Sequence, residues 1–389
     1  MPVPLRLGAP KVHVALTGAT GFLGLRLVRE LFGRHHSLTV LAHAGSGGAF
    51  ERIARFLELT GAPAELIAEL PDRLRVVETD LEQPRLGLPT AVFQRLADEL
   101  DVIWHSAADI NLDGDLAQLR RVNVEGTRQV LELAAAGCRR PIVYHVGTAF
   151  VGGARRDGVI YEDELDDAYG FENGYEQSKY EAEVLVRAWS VAHGRPVVVL
   201  RPSVLVTDLP AHPELPKHPL QFIDQIAQAS LSRVDLPGIG LGGPRIPEGN
   251  RPVVRVPGHP LGHLNLMPVE HAARVMVRLA SGKPSGQVDT YHVVHDHDVP
   301  ATTMTAAMEQ LVPIRVKLVE KRPRDPSPLE TVADLYPGFT PYLSHRRRFD
   351  DTRVRTLLGP MLSGIRVDLD YLLAGVRSKK QTTASSSRW

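Results

Sequence analysis

The chain has 389 residues, 43% of them apolar, which suits a globular protein with a sizeable core, as two domains or one large one with an extension. Its 45 Lys and Arg balance 45 Asp and Glu, so no net field draws it to nucleic acid or anionic lipid. A single cysteine, Cys138, excludes an intramolecular disulfide; after the helical "LELAAAG" it is expected to pack as a small core residue.

In chain order, "MPVPLRLGAPKVHVALTG" brings no long apolar run before the first strand, so no signal peptide is expected. No stretch approaches the ~18 apolar residues of a membrane span, and a cytoplasmic protein is expected. Six apolar runs follow: "VHVALT" (12–17), "LTVLA" (38–42), "LRVVET" (74–79), "DVIWHSA" (101–107), "PIVYHV" (141–146) and "PVVVLRP" (196–202). They lack polar alternation, as do strands covered on both faces. Helical patterns separate them, among them "GFLGLRLVRELFGR", "AVFQRLADEL", "LAQLRRVNVEGTRQVLELAAAG" and "YEQSKYEAEVLVRAWSVAHG". This alternation predicts an α/β protein with a doubly wound parallel sheet.

After Pro202 the texture changes: residues 202–260 hold eleven prolines, which argues for loops and short elements around a cleft. Helices are predicted at 268–280, near 300–311 and near 366–376, and strands at 290–294 and 314–321. The expected organisation is a Rossmann domain over 1–205 and a mixed substrate-binding region over 206–378. Within the latter, 268–294 returns to the Rossmann core. The small polar residues of 379–389 predict a disordered tail.

The chemistry begins at "TGATGFLG". Gly18 serves a tight turn, Gly21 the close approach of a pyrophosphate and Gly24 helix-to-sheet packing. Thr20, Phe22 and Leu23 complete this loop and the helix end that offers N–H groups to the anion. The second strand runs into "LAHAGSGGAFER", with His43, Ser46 and Arg52 but no carboxylate to bind a ribose 2′-hydroxyl. That absence predicts NADPH over NADH, although no arginine directly follows the strand. Tyr175 and Lys179, four apart in a helical segment, share a face. A nearby ammonium is expected to stabilise the Tyr175 phenolate. "VVHDHD" (His295, His297, with His292 nearby) offers too few converging ligands for a metal site, and no metal is expected. The run "SHRRRFDD" (344–351) is the only dense basic cluster. It reads as a solvated face or as a contact for an acidic carrier protein or a CoA phosphate.

"TGATGFLG", "HSAADI", "VNVEGTRQVLELA", "VGTAFVGG", "GYEQSKYEAE", "LRPSVLV" and "LNLMPVEHAAR" together resemble the extended short-chain dehydrogenase/reductases, within them the thioester reductase group. That group holds the terminal reductase domains of peptide and polyketide synthetases, the reductase domain of carboxylic acid reductases, and fatty acyl reductases. The likeness covers about residues 12–280. It implies that Thr148 hydrogen-bonds the substrate carbonyl, that Tyr175 relays a proton and that Lys179 also binds the nicotinamide ribose. Many relatives carry Ser-Thr where this chain has Gly147-Thr148. The resemblance further places Asp80 and Leu81 beside the adenine, Ala107 and Ala108 under the cofactor, and Pro202 against the nicotinamide. Asn123 supports the helix before the site.

The implied activity is NADPH-dependent reduction of an acyl thioester to an aldehyde, with further reduction to the alcohol left open. The chain shows no adenylation or carrier module, so the acyl group is expected from an acyl or peptidyl carrier protein in trans, or from CoA. The Pro-rich segment 202–260 and the C-terminal region are expected to carry acyl selectivity. The same Thr-Tyr-Lys set would serve a reductase or dehydrogenase of a free carbonyl or secondary alcohol. A non-catalytic NAD(P)-binding regulator would need neither Tyr175 nor Lys179.

Overall fold

The computed structural model describes residues 12–43, 48–216, 247–327, 330–331, 338–359 and 365–376. Ser46, most of the Pro-rich segment and the predicted tail therefore lie outside the described residues.

Seven parallel strands form the central sheet: β1 (Val14–Thr17), β2 (Leu38–His43), β3 (Leu74–Thr79), β4 (Val102–His105), β5 (Ile142–Val146), β6 (Val197–Pro202) and β7 (Val288–Val293). Their spatial order is β7-β6-β5-β4-β1-β2-β3, with the switch of direction between β1 and β4. Ligands of such sheets bind outside the carboxyl ends of the strands at that switch.

The strands are apolar on both faces because helices cover both. Val14, Leu16, Val198 and Leu200 join one core, while Ala15, Val197 and Val199 join another. Over the first face lie α1 (Phe22–Phe32) and α2 (Ala49–Leu59). Against the second lie α3 (Thr90–Glu99), α4 (Gly126–Ala136) and α5 (Gly174–His193). The first face is completed by α6 (Val269–Leu279), which precedes β7. Burying each Leu or Val here contributes about 1.5–3 kcal/mol. Trp104 and Tyr144, paired across β4 and β5, stack at 4.6 Å on the first face. Their strand neighbours His105 and His145 point to the other face and are fully buried.

A third apolar cluster includes Phe150, Val206, Val256, Leu266, Met304 from α7 (Ala301–Leu311) and Tyr342. Strands Val253–Pro257 and Arg315–Val319 pair in parallel beside it.

Two local expectations are corrected. Cys138 is exposed, because it sits in the surface turn after α4 with its N–H donating to Asp98. The predicted continuous helix 116–137 is helical at Leu116–Arg120 and in α4, but Arg121–Glu125 between them forms a π turn. Such turns concentrate at functional sites; this one carries Asn123.

Candidate active site

A cavity of about 430 Å³ opens at the carboxyl ends of the strands. One end is walled by Gly18, Gly21, Phe22, Leu23, Gly24 and Ala108; Thr148, Tyr175, Lys179 and Pro202 also face it.

The glycine loop is shaped by three backbones in contact. Gly18 has φ +70°, a region costly for other residues, and a Cβ there would lie 2.6 Å from Ala107 N. A Cβ on Gly24 would lie 1.9 Å from Gly18 O. The loop therefore has room for glycine alone at both positions. No side chain caps α1 at Gly21. The first N–H groups of a helix lack intrahelical acceptors, so this end suits a phosphate anion.

Thr17 holds the loop against the sheet. Its hydroxyl oxygen accepts from Ser106 N and Ala107 N, both at 3.2 Å, and lies 2.8 Å from His105 Nδ1. His105 Nε2 lies 2.9 Å from Thr127 Oγ1, which donates to Asn123 O at 2.6 Å. Because Thr127 spends its proton on that carbonyl, His105 Nε2–H must be the donor to Thr127. Nδ1 is then the acceptor from Thr17. Burial pushes His105 down to about 3, so this neutral tautomer persists at ordinary pH.

Asn123 is buried outside the cavity and ties it together: Nδ2 donates to Asp109 O and Ser178 Oγ, both at 2.9 Å, and Oδ1 accepts from Asp109 N at 2.8 Å. It thus joins the loop after β4 to α5.

On α5, capped by the Asn173 side chain accepting from Glu176 N at 3.0 Å, Tyr175 and Lys179 both face the cavity. Lys179 Nζ donates to Val146 O at 2.9 Å. Burial pushes its ammonium down to about 8, against the pull of Glu183. Glu183 is itself held by a bidentate pair with buried Arg201 at 2.9 and 2.7 Å. The expectation that Lys179 stabilises the Tyr175 phenolate is corrected. Burial dominates and pushes the phenol up to about 12, eased by a hydrogen bond with Thr148. The Tyr175 hydroxyl therefore keeps its proton in this setting.

The remaining expected residues lie around the cavity without lining it. Thr20 is in the glycine turn. His43 is exposed at the end of β2, and Arg52 is half-buried in α2. Asp80 closes its own turn, accepting from Glu82 N at 2.9 Å. Leu81 packs under Gly126, and Ala107 touches Gly18 through its backbone.

Sequence reasoning missed the cavity's other wall. Phe150, Phe339 and Tyr342 line it with Leu112 and Leu205. Tyr342 donates to Glu176 Oε1 at 2.7 Å and accepts from Asn173 Nδ2 at 2.9 Å. Asn173 also donates to Gly338 O at 3.1 Å, and Gly338 N donates to Asp113 Oδ1 at 2.7 Å. Residues 338–345 thereby clasp the start of α5 next to Tyr175. No local signal marks this: the partners are far apart in sequence, and Phe339 and Tyr342 sit outside any periodic pattern.

The basic run is also revised. Arg347 is buried, donates to the carbonyls of Gly153 and Arg155, lies 5.2 Å over the Phe150 ring and stands 3.9 Å from Glu176. It is part of the clasp. Arg346 pairs with Asp157 at 2.8 Å, and Arg348 is exposed. His295, Asp296 and His297 do cluster, but His295 accepts from His297 N through Nδ1 and meets Ile365 O at 2.8 Å through Nε2. Both ring nitrogens are thus engaged in hydrogen bonds within the protein.

Comparison with known proteins gives a consistent result. The family described as Male sterility protein, an NAD-binding domain, matches residues 16–276. Isonitrile lipopeptide synthase of Mycobacterium tuberculosis is 33% identical over 309 residues, covering 73% of this chain and 12% of that protein. Carboxylic acid reductase of the same organism is 32% identical over 319 residues, covering 75% of this chain and 25% of that protein. The chain thus spans a small part of these curated relatives. The solved terminal R domain from the myxalamid PKS-NRPS biosynthetic pathway superposes with a TM-score of 0.71 at 26% identity, covering 95% of this chain and 90% of that one.

Proposed function

The chain belongs to the male sterility protein family of NAD-binding domains, and from that premise we propose that it reduces an acyl thioester with NADPH, releasing thiol and aldehyde. The observation that carries this reading is the convergence of the glycine loop with Thr148, Tyr175 and Lys179 on one cavity. Its likeness to a carboxylic acid reductase and a synthetase R domain supports the substrate class.

The glycine cradle and the uncapped end of α1 fit a dinucleotide pyrophosphate. Ala108 would lie under it and Pro202 would border its nicotinamide end, with Lys179 at the ribose. The preference for NADPH rests on the missing carboxylate after β2. When bound, the cofactor supplies a hydride to the carbonyl carbon. Thr148 and Tyr175, which face the same cavity, would present their hydroxyls to the carbonyl oxygen. Tyr175 stays protonated at neutral pH, so it can pass its proton to the developing oxyanion. The resulting hemithioacetal collapses, breaking the C–S bond and giving aldehyde and thiol. The acyl group would be presented by an acyl or peptidyl carrier protein, or by CoA.

The test follows reduced cofactor and free thiol together, using acyl-CoA and acyl-carrier thioesters. One thiol per one or two cofactors oxidised is expected. Oxidation with free ketones but no thiol from any thioester would replace this reading with a free-carbonyl reductase. Tyr175→Phe should cost more than tenfold in kcat/KM, above about 1.4 kcal/mol, with cofactor affinity near wild type.

A further inference from the structure

Resting on the thioester reading, we propose that the aromatic end of the cavity is an acyl subsite that selects an uncharged, apolar chain. Phe339 and Tyr342 set its shape.

The wall is built and fixed. Tyr342 meets Phe150 edge-on at 5.0 Å and Phe339 at 5.9 Å. Phe150 is backed by the Arg347 guanidinium at 5.2 Å. Leu112 and Leu205 complete the surface. Every polar group of the aromatic ring cluster is turned to protein: the Tyr342 hydroxyl is used by Glu176 and Asn173. An acyl chain entering here meets carbon, and burying carbon against it is favourable.

Charge argues the same way. Among the described residues, the charged side chains facing the cavity are Lys179 and Asp113. Lys179 is buried beside Tyr175 and donates to Val146 O. Arg347 lies behind the Phe150 ring and within 3.9 Å of Glu176. Among the described residues the aromatic wall itself therefore presents no cation to a carboxylate on the chain, while Asp113 at the rim repels one. Leaving such an anion unpaired in an apolar wall is strongly unfavourable.

The experiment compares hexanoyl and adipoyl thioesters of N-acetylcysteamine, equal in carbon count and differing in a terminal carboxylate. Wild-type kcat/KM should favour hexanoyl by at least roughly 100-fold. In Phe339→Arg, which places a cation in the wall, the ratio should fall at least about tenfold. Phe339→Ala, with fold checked by NADPH affinity, should shift the preferred chain toward longer acyl groups. Comparable use of hexanoyl and adipoyl by the wild type would overturn the subsite while leaving thioester reduction intact. Release of thiol from no thioester at all would overturn both.

Discussion

Tyr342→Phe tests the clasp directly. The ring remains, so packing against Phe150 and Phe339 is kept and no cavity forms. What is lost is the hydroxyl between Glu176 Oε1 and Asn173 Nδ2. Glu176, fully buried, would keep Glu172 N at 2.9 Å on its other oxygen and Arg347 at 3.9 Å. A hydrogen bond to a buried charge contributes about 1.5–3 kcal/mol, so a loss of about 2 kcal/mol is expected in urea unfolding near neutral pH. Burial raises the Glu176 carboxyl above its ordinary value. As pH falls through that raised value Glu176 takes a proton, and the missing hydroxyl no longer faces an anion. The penalty should therefore shrink toward acid. A double-mutant cycle with Glu176→Gln should give a coupling of about 1 kcal/mol or more. A penalty below about 0.5 kcal/mol, or one independent of pH, would refute the clasp as an energetic link to the start of α5.

Lys179, pushed down to about 8, should give kcat/KM an alkaline limb: the ammonium is present below that pH and lost above it, about tenfold per pH unit. Lys179→Arg, always charged, should lack the limb; a wild-type profile flat to about pH 9.5 contradicts the assignment. Arg347→Glu should abolish folding or lower the melting temperature sharply in calorimetry, by setting an anion beside Glu176, whereas exposed Arg348→Glu should stay within about 0.5 kcal/mol of wild type. Gly24→Ala should cost about 3 kcal/mol and weaken NADPH in isothermal titration, since its Cβ would collide with Gly18 O at 1.9 Å. Isothermal titration should also show NADPH binding more tightly than NADH; equal affinities would sink that preference.

Much of the cofactor half was legible because its signals are local. Strands buried on both faces read as unbroken apolar runs, and the glycine spacing reports a backbone contact that admits no Cβ. Tyr175 and Lys179 were legible through helical spacing. The electrostatics between them were not. Spacing shows that two groups share a face, but burial shifts how readily each gives up its proton, and burial depends on elements packed from elsewhere. The outer wall was illegible for a related reason: Phe339 and Tyr342 sit in short non-periodic stretches whose meaning comes from Asn173 and Glu176. Arg347 looked like its neighbours Arg346 and Arg348, because a triplet of like charges gives no clue which one turns inward.

The clasp also sets an order of events during synthesis. Tyr342 follows Glu176 by 166 residues. At roughly 5–20 residues per second, α5 leaves the ribosome about 10–30 s before the hydroxyl that will hold its first turn. Throughout that interval the nascent chain carries the glycine cradle and the Thr-Tyr-Lys trio, while the Glu176 carboxylate awaits both its phenol and its guanidinium. A chain interrupted by a premature stop codon between residues 180 and 338 keeps the cradle, the trio and Phe150 but lacks Phe339 and Tyr342.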